Sequence, residues 1–358
     1  MKDILRYFDK TAFFVLVAIP TFGILVIYSA SNQMATSYWS KQLLWLLLAL
    51  IVFFVVFRIK TDVILRFSIP IYIALAVLLA IQLAAGELVA GTKSWIKTGF
   101  FNIQVSEFIK IPAALFMAKT LAKIPEIQWK EFIQLSAIIG VPFFLIALQP
   151  DLGTAFMLVS FFIAALMLKK IKWLVLVVFF IGIAASFYIG WTYLLKPYQQ
   201  DRLVSFIDPS KYQKSIGYQV VQSKIAVGSG GLTGKGYLGG TQSQYQFLPT
   251  RHTDFIASVL GEELGFLGIS FLFLLFFILL YRQFNFKSQS DEEFYFAYMF
   301  NSIILFQFMV NIMMVIGFVP ILGVPLPLFS YGGSSLLAFF TGEAIIFKMK
   351  INSFVYEY

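Results

Sequence analysis

The chain is a series of long apolar runs separated by short polar breaks. The runs fall at 11–28, 42–57, 67–85, 106–122, 132–149, 152–168, 173–195, 255–281, 294–317 and 333–347. Most approach the roughly twenty residues that a helix needs to cross the hydrocarbon core of a bilayer. The pattern therefore predicts an all-α polytopic membrane protein of about ten transmembrane helices, forming one domain over 1–358. One interval breaks the rhythm. Residues 196–254 are polar for most of their length and rich in glycine at GSGGLTGKGYLGG. They are predicted to form one long loop between helices 7 and 8. The glycines there favour a backbone folded tightly or pressed close to a neighbour.

Charge orients these spans. With the N-terminus inside, sixteen Lys and Arg residues, from Lys2 to Lys350, fall on the cytoplasmic side. The short loops of the other side hold only Lys41, Lys93 and Lys97. Basic residues favour the cytoplasmic side of short loops. Both termini are thus expected in the cytoplasm, and the long loop outside the cell. The N-terminal apolar run exceeds the usual ~7–15-residue core of a signal peptide, so it reads as an uncleaved first span.

Composition narrows the function classes. The chain is 59% hydrophobic and only 13% charged, about half the charged fraction of a soluble domain. Its net charge of +9 reports topology and contact with anionic membrane lipids, so it does not imply nucleic acid. The chain has no cysteine, which excludes disulfides and thiolate metal sites. The long loop carries seven Lys and Arg residues against Asp201, Asp208 and Asp254. A net-positive outer loop suits an anionic partner such as a lipid phosphate.

Ionisable residues within or beside a span are candidates for function by default. Asp254 stands at the mouth of the eighth span. Behind it Ser258, Gly261 and Gly265 share one helix face, a smooth groove that would admit a neighbouring helix or a lipid tail. A helix cap is the plain alternative for Asp254. Glu107 and Lys110, three residues apart, can pair with each other. Asp151 sits in a hairpin-like break at QPDLGT, where it can also cap the next helix. Glu262 and Glu263 lie one to two turns into the eighth span and face different neighbours. Asn311 is placed to bond an adjacent helix. Pro320, Pro325 and Pro327 interrupt the segment 311–337, whose irregular backbone is expected in a cavity wall. The sole histidine, His252, cannot make a His-rich metal site. A carboxylate-held Mg²⁺ or Mn²⁺ stays open as a cofactor.

Four stretches carry a resemblance: KSWIKTGFFNIQVSEFIK at Lys93–Lys110, QPDLGT at Gln149–Thr154, FLPTRHTDFIASVLGEELG, and GVPLPLFSYGGSS. In this order they resemble the SEDS family (shape, elongation, division and sporulation), over nearly the whole chain. The match is nearer to its elongation branch than to its division branch. Val105, Thr250, and Ala257 with Ser258 depart from the family's frequent residues, and none of these removes the aspartate. The resemblance implies a glycosyltransferase of the bacterial cytoplasmic membrane that polymerises lipid II into glycan strands outside the cell. It implies a class B penicillin-binding protein as partner, and Asp254 as the catalytic residue. The attacking sugar hydroxyl would need a base, which a placed carboxylate supplies. The lipid pyrophosphate would leave toward cations, for which Arg202, Lys235 and Lys110 are candidates. Glu107, Asp151, Ser258 and Glu262 complete the expected substrate-binding set. A lipid II flippase and a non-catalytic scaffold for the penicillin-binding protein are the alternatives.

Overall fold

The computed structural model describes residues 7–32, 34–86, 92–97, 102–194, 200, 201, 204, 206, 216–245, 247–285 and 288–355. The described residues are mostly helical. In order the helices are α1 (Lys10–Ser31), α2 (Tyr38–Phe57), α3 (Thr61–Ala85), α4 (Val105–Phe108), α5 (Lys110–Lys123), α6 (Trp129–Leu148), α7 (Leu152–Met157), α8 (Val159–Leu168), α9 (Trp173–Ile189), α10 (Ile216–Ser229), α11 (Thr241–Gln244), α12 (Ile256–Phe284), α13 (Asp291–Val315) and α14 (Gly333–Val355). A short antiparallel ribbon, Trp95–Lys97 with Asn102–Gln104, leads into α4.

Among the described residues six helices are long and apolar enough to cross a bilayer: α1, α2, α3, α6, α12 and α13. The other four expected spans fall on α4–α5, α7–α8, α9 and α14. Ten spans are therefore not reached on length and hydropathy. Two of these four, Leu152–Leu168 and Trp173–Gly182, are apolar helices shorter than a full span.

Burial sorts the bundle into a centre and a wall. The apolar window of α13 is 61% buried, whereas that of α3 is 17% buried and faces outward. α13 packs on α5, α14 on α2, and α12 on α1. Small residues allow the closest approaches. A Cβ on Gly342 would lie 2.0 Å from the Phe300 ring, so α14 and α13 touch there without room for a side chain.

The interval expected to be one long loop is built differently. α10 lies against α12, and the glycine-rich segment that follows enters an interruption in it. Gly265 has φ +64° and ψ −158°, in a region that glycine alone occupies readily. The break lies roughly 14 Å along the helix from its first residue, at 1.5 Å per residue. It frees main-chain groups that a bilayer cannot satisfy. The glycine segment satisfies them: Lys235 N and Gly236 N donate to the carbonyls of Glu262 and Glu263, at 3.0 Å each. In return Phe266 N and Leu267 N donate to Gly231 and Leu232, at 2.9 and 3.1 Å. Gly234 has φ +80°, and a Cβ there would sit 2.1 Å from the Glu263 carbonyl oxygen.

Replacing Gly265 by Ala adds a side chain 2.4 Å from Gly234 N at a conformation other residues avoid. A cost of about 1–3 kcal/mol is expected from the backbone alone. Gly228→Ala, on α10 with open space around it, is the matched control. Thermal melts of the two variants in detergent should show a lowered midpoint for Gly265→Ala and no loss for Gly228→Ala. Equal midpoints would mean that the break is not the strained point described here.

Candidate active site

Asp254 lies in a tight turn, half-buried, just before α12. The cap position of that helix belongs to Phe255. The turn is braced from two directions. Its own Thr253 N and Phe255 N donate to the Thr250 carbonyl, at 3.2 Å each. Three successive carbonyls then accept from elsewhere in the chain. Tyr331 N donates to His252 O at 3.0 Å, Ser330 Oγ to Thr253 O at 2.7 Å, and Asn311 Nδ2 to Asp254 O at 2.8 Å. Asn311 Nδ2 also donates to Val324 O at 2.7 Å, which ties the proline-rich segment to the same point. Asn311 thus bonds neighbouring main chain, as its place in the ninth span suggests. Arg251, buried to 2% exposure, anchors the front of the turn through Nε to Ala30 O at 2.5 Å.

The proline-rich segment has the irregular backbone expected of it. Val324, Leu326, Leu328, Phe329 and Ser330 are all buried, so protein rather than water surrounds most of it. Leu328 has φ +62°, an uncommon value for a residue with a side chain. Strain of this kind persists where surrounding contacts over-determine the backbone. His252 stacks on Tyr38 with ring centroids 4.2 Å apart. Burial, and then the charge of Arg251, hold its imidazole down to about 4, so the ring is neutral at physiological pH.

A second polar cluster forms where α4, α5, α7 and α14 meet. Lys110 Nζ bonds Glu107 Oε2 at 2.8 Å, and both side chains are almost fully buried. Asp151 caps α7 by accepting from Thr154 N at 3.2 Å. It also accepts from Gln104 Nε2 at 2.7 Å, which adds a long-range contact to its capping role. Gln104 N in turn donates to Ser334 Oγ at 3.0 Å. Glu107, Lys110 and Asp151 are therefore gathered, and the turn at 330–334 links them to the Asp254 turn.

The remaining expected residues divide. Ser258 is fully buried and hydrogen-bonds Ser223 of α10 at 2.7 Å. Gly261 faces Val227, and Gly265 faces Leu232 and Gly234. The small-residue face is thus filled by α10 and the glycine segment, so of the two neighbours expected for it, a helix or a lipid tail, a helix occupies it. Glu262 is fully buried and receives Lys235 Nζ at 2.8 Å, Thr241 Oγ1 at 3.0 Å, Gln242 N at 2.9 Å and Ser243 N at 3.1 Å. It anchors the start of α11 and the glycine segment. Lys235 is the partner of that anchor. Glu263 faces the other way and accepts from Ser29 Oγ at 2.5 Å. Arg202 lies outside the described residues. Among the described residues no three metal-ligating side chains gather.

A profile of the cell cycle protein family FtsW/RodA/SpoVE matches residues 9–354. The chain belongs to this family. It is 36% identical to the peptidoglycan glycosyltransferase MrdB of Escherichia coli, over 96% of this chain and 93% of that one. It is 32% identical to the peptidoglycan glycosyltransferase RodA of Treponema pallidum, over 97% and 98%. Its fold is similar to a chain from a structure of a peptidoglycan synthase complex, described as coordinating polymerization and crosslinking. That match has a TM-score of 0.82 and 29% identity, over 96% and 98% of the two chains. It is also similar to the rod shape determining protein RodA of Thermus thermophilus, with a TM-score of 0.71 and 26% identity, over 95% and 96%. Family membership accounts for the polytopic fold.

The Glu107–Lys110 pair allows a separation of folding from chemistry. Lys110→Met alone leaves a buried carboxylate unpaired, a change that costs on the order of 3–5 kcal/mol. Glu107→Gln with Lys110→Met removes both charges and should recover the melting temperature. If the pair acts on substrate, polymerising activity of the double variant stays low while stability returns. Recovery of both would assign the pair to neutralisation alone.

Proposed function

We propose that this chain is a peptidoglycan glycosyltransferase of the bacterial cytoplasmic membrane, polymerising lipid II into β-1,4 glycan strands at its outer face during cell elongation. The names of its curated relatives support the activity. The observation that carries the assignment of the base is the bracing of the Asp254 turn. Three consecutive carbonyls are fixed by donors from α13 and from the turn before α14. Preorganisation of this kind is what a catalytic group needs and a surface cap does not.

The reaction proceeds as a single displacement. The 4-hydroxyl oxygen of one sugar bonds to the anomeric carbon of the next, and Asp254 accepts the hydroxyl proton. The bond from that carbon to the pyrophosphate oxygen breaks, and the electron pair leaves with the phosphate. One displacement inverts the α-linked donor to a β-linked product. Glu107, Lys110 and Asp151 form the polar group that receives the charged part of the substrate, reached from Asp254 through the 330–334 turn. Lys110 is held by Glu107 in this structure, so its contribution to the leaving phosphate requires that pair to open or share. Arg202 supplies a further cation. A class B penicillin-binding protein is the partner, which agrees with the synthase complex among the similar structures.

Asp254→Asn tests the base. Asn and Asp serve almost equally as helix caps, so a capping role predicts little change. Loss of a general base predicts a rate lower by roughly 10²–10⁴-fold. The measurement is glycan formed from lipid II by folded protein at matched concentration, with and without the penicillin-binding protein, which should raise the wild-type rate. Near-wild-type product from Asp254→Asn would overturn the assignment and bring transport or scaffolding forward.

The same reading places both termini in the cytoplasm. The chain has no native cysteine, so single cysteines report sidedness without background. Ala35→Cys, exposed between α1 and α2, should react with an impermeant thiol reagent on intact spheroplasts. Gln289→Cys, exposed before α13, should not. The reverse labelling would invert the topology.

A further inference from the structure

Three side chains on one face of α2 line up against the turn that braces Asp254. Tyr38, Gln42 and Trp45 are four and three residues apart, so they form one stripe along the helix. Tyr38 packs its ring on His252 and edge-on to Tyr331. Trp45 lies so close to Gly333 that a Cβ there would fall 2.0 Å from its ring. Between them Gln42, fully buried, makes two main-chain hydrogen bonds. Its Nε2 donates to Ser330 O at 3.2 Å, and its Oε1 accepts from Gly332 N at 3.1 Å.

Those two bonds straddle Tyr331, whose N–H donates to His252 O. The residue before Tyr331 is Ser330, whose hydroxyl donates to Thr253 O. The same hydroxyl accepts from Leu326 N at 2.8 Å, closing the turn over Leu328 at its φ of +62°. Gln42 therefore grips both sides of the two residues that hold the Asp254 turn. The side chain there must donate at one end and accept at the other, as an amide does at every pH.

We propose that Gln42 is a positioning residue for Asp254. It touches neither the carboxylate nor the reacting sugars. It fixes the turn at 326–332, and that turn sets the backbone of residues 252–254. A misplacement of about 1 Å at a reacting group can cost on the order of 10²-fold in rate. The inference rests on Asp254 being the general base, and it adds the element that places it.

The test uses the full-length protein with its penicillin-binding partner and lipid II. Rates are normalised to folded, partner-bound enzyme. Gln42→Met keeps the length of the side chain and removes both bonds. Gln42→Glu keeps the acceptor, and when protonated it also regains a donor. A positioning role predicts a kcat lowered at least tenfold in Gln42→Met, with KM within twofold of wild type. It also predicts that Gln42→Glu exceeds Gln42→Met, and that their ratio rises as pH falls from 8 to 6. A merely structural role would scale both variants alike at every pH. Ser330→Ala removes the hydroxyl from the other side of the turn and should show the same kcat loss at unchanged KM. It decides the matter if Gln42→Met does not fold. Wild-type kcat in Gln42→Met, a loss carried by KM, or a pH-independent ratio would each overturn the proposal. If Gln42→Met does not fold, wild-type kcat in Ser330→Ala would overturn it. A wild-type protein that makes no glycan would instead overturn the proposed function.

Discussion

A peptide group inside a bilayer has no water to turn to, and an unpaired one costs several kcal/mol. This constraint organises the irregular parts of the molecule. At three breaks in regular structure the freed groups are met by another part of the chain. At Gly265 the glycine segment supplies two donors and two acceptors. At the 250–255 turn the partners are Asn311, Ser330 and Tyr331. At the 326–332 turn the partner is Gln42. The three interruptions are thus not independent. The partners of the second include the third, and the break in the same helix that follows Asp254 is the first.

The constraint also explains the buried carboxylates. Glu262 is expensive inside a bundle unless its lone pairs are filled. Lys235, Thr241 and the N-terminal amides of α11 fill them, so the charge becomes a peg for the loop. Glu107 solves the same problem with Lys110. Glu262 thereby fixes the start of α11 and the glycine segment, while Glu107 and Lys110 pair across the junction of α4 and α5.

Much of this was legible in the sequence, and the line between what was and was not is physical. Apolar runs give helices because burial in lipid demands them, so most elements lie where the runs place them. Glu107 and Lys110 were legible as a pair because their spacing alone brings them together. Asp254 stood out because an acid at a helix mouth is costly. The break at Gly265 was not legible, because GEELG reads as helix and only a segment thirty residues upstream makes the interruption tolerable. The face of Ser258, Gly261 and Gly265 was read correctly as close-packing, but a row of small residues does not say what fills it. α10 fills it. Gln42 carried no local signal: a single glutamine at the head of an apolar run looks like the wet end of a span. The apolar runs at 106–122 and 152–168 are helical as expected, with Ile109 and Leu158 keeping right-handed helical dihedrals where one short helix passes into the next.

The grip of Gln42 on Ser330 joins residues 288 positions apart. The bond from Arg251 to Ala30 joins residues 221 apart. The hairpin of α1 and α2 is therefore part of the support for a site whose last brace is the 326–332 turn. At about 5–20 residues per second, that hairpin waits in the membrane for on the order of 15–60 s before its partner is made. Gln42 spends this interval without the carbonyl and amide that satisfy it. A chain interrupted before the 326–332 turn would hold Asp254 in place by only part of its bracing. Biogenesis thus sets its own order on activity: the site closes only once the 326–332 turn is made, and until then the chain carries its aspartate unarmed.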